Sequence, residues 1–158
     1  LQANARRQDV RLVTDYPEQP LWAKVDHDQL RAVLVNLLLN AMEAMPRGGH
    51  LNVALTATFV ATGGSPVVAS RQKPTGEPPV ATTSPAVELT VTDTGSGIPA
   101  DILKRLFTPF VSGKPTGTGL GLCISRRIVE NHGGRITARN RAEGGAVVAI
   151  TLPVVERN

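Results

Sequence analysis

Three stretches of the chain combine residue types and spacings that could bind a ligand. The first is VLVNLLLNAMEAM, in which Asn36, Asn40 and Glu43 are the only polar side chains. Their spacing of four and then three residues puts them on one stripe of a helix, which turns by about 100° per residue. Because buried amides need hydrogen-bond partners, this stripe either bonds neighbouring backbone or faces a ligand cavity.

The second stretch, VTDTGSGIP, ends an apolar run with an aspartate and two alternating glycines. Asp93, at the predicted end of a strand, can accept a hydrogen bond from an exocyclic amine such as that of adenine. Gly95 and Gly97 permit positive φ angles and the close approach of a planar ligand to the backbone. The alternative is an Asx turn before a helix that starts at Pro99.

The third stretch, GKPTGTGLGL, leaves backbone N–H groups accessible where a helix over residues 120–131 is predicted to begin. The positive end of a helix dipole suits phosphate oxygens, and Thr118 adds a hydroxyl while Lys114 adds a charge. The spacing of the stretch excludes both a Walker phosphate loop and a dinucleotide-binding motif. A glycine-rich loop without a ligand remains the alternative. The glycines concerned are Gly117, Gly119 and Gly121.

Hydrophobic periodicity and turn residues predict the elements that must position these stretches. Their order indicates an α+β two-layer sandwich, with a sheet on one side and about three helices on the other. The first long helix is expected to pack on the sheet through its apolar face. Residues 61–86, rich in Pro, Gly, Ser and Thr, are predicted to form a flexible loop. The predicted strands are 10–16, 21–26, 50–60, 86–93, 135–140 and 146–153, and the predicted helices are about 26–45, 99–106 and 120–131.

The composition limits the classes of function. A chain of 158 residues with 41% hydrophobic residues predicts one domain. No apolar run approaches the roughly 20 residues of a membrane helix, and no secretory signal is recognisable, so we expect a soluble, cytoplasmic fragment. The single cysteine, Cys123, excludes an internal disulfide. A net charge of +4 suits a polyanionic ligand, but 3% aromatic residues offer little surface for stacking bases, so nucleic-acid binding is not expected.

The order NLLLNAMEAM, DTGSGIP, LFTPF and GTGLGL resembles the N, G1, F and G2 boxes of the ATP-binding catalytic domain of bacterial sensor histidine kinases, a branch of the GHKL (Bergerat-fold) ATPases. The segment PFVSGKPTGTGLGLCISRRIVENHGGRI is most similar to the nitrogen-regulation branch. The resemblance implies a mixed, mostly antiparallel sheet with the helices on one face. It also implies a linker at 1–8, a catalytic domain at 9–154 with an insertion at 61–86, and a tail at 155–158.

The same resemblance implies one nucleotide site shared by the three stretches. Asn40 would coordinate Mg²⁺ that bridges the phosphates of ATP, while Asn36 and Glu43 line the same side. Asp93 would bind the adenine amino group. The remaining implied site residues are Gly95, Gly97 and Ile98 around the base, and Lys114, Gly117, Thr118, Gly119, Leu120 and Gly121 in the lid and phosphate cradle. Phe107 and Phe110 would either anchor the lid or pack in the core.

The implied reaction is transfer of the γ-phosphoryl group of ATP to a histidine on a separate domain. Gyrase-, chaperone- and mismatch-repair-type ATPases carry a glutamate base where Asn36 stands, so its absence favours transfer over hydrolysis. Glu43, one turn beyond Asn40, leaves hydrolysis open, and no catalytic residue is assigned. His27, His50 and His132 are predicted to be caps or surface residues, because none lies in a phosphoacceptor context.

The resemblance also implies the partners. We expect the phosphoacceptor and dimerisation domain of the same kinase, a downstream response regulator, and a monomer for the catalytic domain alone. The full-length protein could be membrane-anchored, although no membrane contact is expected of this fragment. The alternatives are a GHKL-fold ATPase, a serine kinase of the anti-sigma type, and a non-catalytic nucleotide-binding scaffold.

Overall fold

A computed structural model describes residues 9–61, 83–113 and 117–155. Its elements are β1 (Val10–Asp15), α1 (His27–Glu43), β2 (Gly49–Ala61), β3 (Thr83–Asp93), α2 (Ala100–Leu103), α3 (Gly121–Asn131), β4 (Arg135–Asn140) and β5 (Ala146–Pro153). The strands form one sheet in the order β1-β2-β3-β5-β4, in which β1 runs parallel to β2 and all other neighbours are antiparallel. This sheet and the three helices of the described residues confirm the predicted α+β class.

Helix α1 packs on the sheet through the predicted apolar face. Val33, Leu37 and Ala41 of the helix, and Met45 just after it, are each at most 6% exposed and share one core cluster with strand residues such as Ile150. Full burial of an aliphatic side chain contributes roughly 1.5–3 kcal/mol, so this face accounts for much of the attachment of α1. The helix begins where the Asp26 side chain accepts a hydrogen bond from the Gln29 N–H at 2.9 Å.

Helices α1 and α3 lie side by side in opposite directions. At one end of the pair, His132 Nε2 accepts a hydrogen bond from the Asp26 N–H at 2.9 Å, while Nδ1 donates to the Ile128 carbonyl oxygen at 2.7 Å. His132 therefore joins the end of α3 to the start of α1, as expected for a capping histidine. His27 and His50 are exposed, and Cys123 is half-buried.

The predicted strand at 21–26 is wrong. This segment makes only an isolated bridge between Ala23 and Val154. The edge of β5 that it would need is already occupied by β4 as far as Arg135. The segment instead contacts Val154 and Val155, the two residues that follow β5.

Two other boundaries differ from the prediction. β2 and β3 pair as far as Ala61 and Thr83, so β3 begins three residues before the predicted position at Ala86. The predicted helix at 99–106 is α-helical only over Ala100–Leu103 and continues as turns. The linker at 1–8, most of the insertion, Lys114 and the last residues of the tail lie outside the described residues. No helix in the described ranges is long and apolar enough to cross a membrane.

Candidate functional site

Asp93 is a buried carboxylate at the end of β3. It is 6% exposed, and with Ser125 it makes up the buried polar side chains of the described residues. Its Oδ1 accepts hydrogen bonds from the Gly95 N–H at 2.8 Å and from the Ala146 N–H at 3.3 Å. Both of these bonds end on Oδ1, and neither engages Oδ2.

The loop after Asp93 lies against the C-terminal end of α1. The Ser96 N–H donates to the Ala44 carbonyl oxygen at 3.4 Å, and a Cβ atom at Gly95 would lie 2.8 Å from the Ala44 carbonyl carbon. Residue 95 must therefore lack a side chain to let the loop reach the helix. The sequence had suggested a ligand as the reason for this glycine, whereas the close neighbour in the structure is helix backbone.

The turn between β4 and β5 holds the same loop from its other side. The Asn140 side chain accepts from the Ile98 N–H at 2.8 Å and donates to the Ile98 carbonyl oxygen at 2.7 Å. An Arg141 guanidinium nitrogen donates to the Asp93 carbonyl oxygen at 3.2 Å. Gly145, with φ of +83°, lies against the Asp93 backbone so closely that no side chain would fit.

Sequence reasoning missed the contacts that Asn140, Arg141 and Gly145 make with the Asp93 loop. Asn140 appeared only as the end of a strand, and nothing local ties it to a loop 42 residues earlier. The one available signal was the adjacent pair Gly144-Gly145, which marks a turn with unusual backbone angles.

The polar stripe on α1 is divided between two environments. Asn36 is half-buried and donates to the Ser125 hydroxyl of α3 at 2.9 Å. Asn40 is half-buried one turn later, and Glu43 is exposed at the last residue of the helix. Since Ala44 contacts the loop after Asp93, Asn40 and Glu43 lie at the end of α1 where that loop is attached.

The glycine segment leads into the first turn of α3. Gly121 is the first residue of that helix, and a Cβ atom there would lie 2.6 Å from Asn36 Oδ1. Leu120 is half-buried, whereas Gly117 and Thr118 are exposed. The N-terminal turn of α3 therefore lies directly against the polar stripe of α1.

A backbone hydrogen bond joins Phe110, which precedes the predicted lid, to Gly119 within it. The Phe110 N–H donates to the Gly119 carbonyl oxygen at 3.1 Å, and Gly119 has a φ of +67°. Phe107 packs against the core, whereas the Phe110 side chain is 79% exposed. Of the two aromatic residues, Phe107 thus takes the core role and Phe110 lies at the surface beside the glycine segment.

These contacts bring the Asp93 loop, the polar stripe of α1 and the N-terminus of α3 together around the C-terminal half of α1. Ala44 attaches the Asp93 loop, and Asn36 attaches the N-terminus of α3. A buried carboxylate can pair with an amine of a base, and helix N–H groups can bind phosphate oxygens. The described residues contain no cluster of three or more His, Cys, Asp or Glu side chains that could hold a metal ion. The combination suits a purine nucleotide with a phosphate chain.

Comparison with known proteins agrees with this geometry. Residues 25–156 match the family model described as histidine kinase-, DNA gyrase B- and HSP90-like ATPase. Sensor protein FixL of Bradyrhizobium diazoefficiens is 36% identical over 156 residues, which cover 99% of this chain and 26% of that protein. Sensor histidine kinase ZraS of Salmonella typhimurium is 37% identical over 134 residues, covering 85% and 24%. The chain thus spans about a quarter of the length of these relatives.

A solved structure shows the same fold. The catalytic domain of histidine kinase ThkA, in a nucleotide-free form, is 27% identical with a TM-score of 0.70, over 96% of this chain and 84% of that one. ZraS falls in the nitrogen-regulation-like branch that the segment around the glycines indicated. The family match covers both the Asp93 loop and the glycine segment. This chain belongs to the histidine kinase-, DNA gyrase B- and HSP90-like ATPase family, and within it to the ATP-binding catalytic domains of sensor histidine kinases.

Proposed function

We propose that this chain binds ATP beside Asp93 and transfers its γ-phosphoryl group to a histidine on another domain of the same protein. The observation that carries the proposal is the buried Asp93 carboxylate, with Oδ1 held by two backbone N–H groups. A carboxylate fixed in this way keeps one oxygen for a donor on the ligand. The names of ZraS and ThkA, which are histidine kinases, support a kinase rather than another activity on this fold.

The two halves of the nucleotide would be bound by different parts of the site. Asp93 Oδ2 would accept from the adenine amino group, and the loop of Gly95, Gly97 and Ile98 would surround the base. The phosphates would lie at the N-terminus of α3, where the helix dipole and free N–H groups favour negative charge. The residues proposed for this phosphate cradle are Lys114, Gly117, Thr118, Gly119, Leu120 and Gly121.

The donor atoms near the phosphates suit Mg²⁺. Magnesium prefers oxygen ligands and is usually bound through one or two protein groups together with substrate phosphates. Asn40, half-buried on α1 one turn beyond the asparagine that contacts Gly121, would supply its amide oxygen, and the exposed Glu43 follows at the end of the helix. When bound, the ion would neutralise phosphate charge.

The chain's own residues would act by position and charge. Phosphoryl transfer needs an aligned phosphate with its charge neutralised, and little covalent chemistry from the protein. Asn36 cannot act as a general base, because an amide does not take up a proton near neutral pH, and its N–H group is bonded to Ser125. This arrangement favours transfer over hydrolysis. The acceptor histidine, the response regulator and a cytoplasmic location belong to the same proposal, with the isolated domain a monomer.

Phosphoryl transfer can be tested directly. The domain is mixed with radiolabelled ATP, Mg²⁺ and the histidine-bearing domain of its own full-length protein. We expect label on the added domain that is lost in acid and retained in alkali, as for phosphohistidine. Acid-stable label would indicate a serine kinase. Phosphate release that needs no acceptor would indicate an ATPase, and either result would contradict the proposal.

A further inference from the structure

The Asn140 side chain satisfies both backbone polar groups of Ile98, with hydrogen bonds of 2.8 and 2.7 Å. We propose that Asn140 is a positioning residue for the base subsite, which fixes the far end of the loop that begins at Asp93. This inference rests on the proposed function, because it assigns a role within the same nucleotide site. Asn140 itself need not touch the nucleotide.

The two hydrogen bonds between Asn140 and Ile98 resemble those of a strand pair, with a side chain in place of one strand. In an antiparallel sheet, a residue in a hydrogen-bonded pair exchanges both its N–H and its C=O with its neighbour. Ile98 has left the sheet and precedes Pro99, which has no N–H of its own to contribute. The Asn140 carboxamide supplies one acceptor and one donor in place of the missing strand. Its orientation is unambiguous, because the Ile98 N–H requires an oxygen and the Ile98 carbonyl requires an N–H.

Asn140 is coupled to Asp93 through the register of β4 and β5. Asn140 and Ala146 are directly opposite each other in this strand pair. Ala146 donates its N–H to Asp93 Oδ1, and Asn140 binds Ile98. The two facing residues therefore hold the two ends of the loop, and the spacing of the ladder fixes the distance between those ends. A base bound by Asp93 would lie against a loop whose shape is set by this pair.

Gly97 provides the room for the contact. Its φ is +74°, and a Cβ atom at this position would lie 3.1 Å from Asn140 Oδ1. That distance is tighter than ordinary van der Waals contact, so a side chain at residue 97 would press on the amide that binds Ile98. Gly97 and Asn140 thus form one unit, in which the first makes space and the second fixes the backbone.

If Asn140 has this role, its removal should weaken binding of the base but not binding of the phosphates. Without Asn140, the backbone N–H and C=O of Ile98 lose their partners. Ordering the loop on ADP binding then costs free energy that the wild type does not spend. The N-terminus of α3 makes none of these contacts, so phosphate binding should be unaffected. Asn140 is exposed, so its removal leaves no cavity in the core.

The test compares ADP with tripolyphosphate, both with Mg²⁺, by calorimetry on wild type and Asn140→Ala. We expect ADP affinity to fall about tenfold, the factor for one net hydrogen bond, while tripolyphosphate affinity stays within about twofold. Hydrogen exchange at the Ile98 amide should accelerate in the same variant. Asn140→Asp keeps the acceptor but loses the donor, so its affinity for ADP should lie between those of wild type and Asn140→Ala. Asn131→Ala, at an exposed position at the end of α3, is the matched control and should change neither ligand.

Two results would overturn the inference while leaving the proposed function intact. One is unchanged ADP affinity in Asn140→Ala. The other is an equal loss for ADP and tripolyphosphate together with a lower melting temperature, which would indicate a purely structural residue. If the wild-type protein bound no ADP, the proposed function itself would fail.

Discussion

The side-chain amide of Asn36 donates a 2.9 Å hydrogen bond to the hydroxyl of Ser125 and thereby ties α1 to α3. Ser125 is 2% exposed, and Asn36 Oδ1 lies so close to Gly121 that no Cβ would fit there without displacing it. The two residues set the position of the first turn of α3 relative to the polar stripe of α1. The sequence had left open whether this amide bonds neighbouring backbone or faces a ligand, whereas the structure shows a side-chain partner on the neighbouring helix.

The Asn36–Ser125 bond predicts an energetic coupling between the two positions. A double-mutant cycle of Asn36→Ala and Ser125→Ala, measured by urea unfolding, should give a coupling of about 1 kcal/mol, the net value of a partly buried hydrogen bond. Ser125→Ala alone should also weaken ADP binding several-fold, because α3 would lose its register at the phosphate end. Strict additivity of the two substitutions would contradict a stabilising bond.

The adjacent glycines of the β4–β5 turn allow a matched comparison. Gly144 and Gly145 both have positive φ, at +93° and +83°. A Cβ atom at Gly144 would meet nothing within 4 Å, whereas one at Gly145 would lie 2.7 Å from the Asp93 carbonyl carbon. Gly144→Ala should therefore cost about 1 kcal/mol of unfolding free energy, the backbone penalty alone. Gly145→Ala should cost about 1–3 kcal/mol more, from overpacking against Asp93. Equal losses in a denaturant titration would mean that the turn does not press on Asp93.

The cap of α1 predicts a dependence of stability on pH. The backbone hydrogen bond from Gln29 lowers the pKa of Asp26 below its ordinary value of 3.8. Because the folded pKa is lowered, the cap's contribution is present above 3.8 and is lost as the pH falls through the folded value. Asp26→Asn keeps an acceptor oxygen but cannot titrate. Any melting-temperature advantage of wild type over this variant at neutral pH should shrink in acid, and a constant difference down to about pH 2 would contradict the assignment.

The fold was predictable where local pattern and burial agree. The apolar face of α1 and the alternation in β2 come from contacts made along one element, so periodicity alone identified them. The segment at 21–26 has the same apolar character but lies beside β5, whose edge β4 already occupies, and that depends on where β4 lies. The short α2 likewise depends on turns around Leu106 that packing selects.

Only part of the candidate site could be proposed from the sequence. Asp93 and the glycines stand in recognisable local patterns, so they could be singled out without knowledge of what surrounds them. Ser125 and Asn140 act on residues 89 and 42 positions away, respectively, and no local signal marks them. The sequence also did not show why position 95 needs a glycine, because the close neighbour in the structure is the backbone at the end of α1.

The central claim is that Asp93 recognises the base of a bound nucleotide, and calorimetry on Asp93→Asn tests it most directly. The asparagine oxygen would still accept from the Gly95 N–H, which would turn its NH₂ group toward the adenine amine and set two donors against each other. We predict that ADP affinity falls about 10- to 100-fold, while the affinity for tripolyphosphate with Mg²⁺ stays within about threefold. Unchanged ADP binding, or an equal loss for both ligands, would contradict the account.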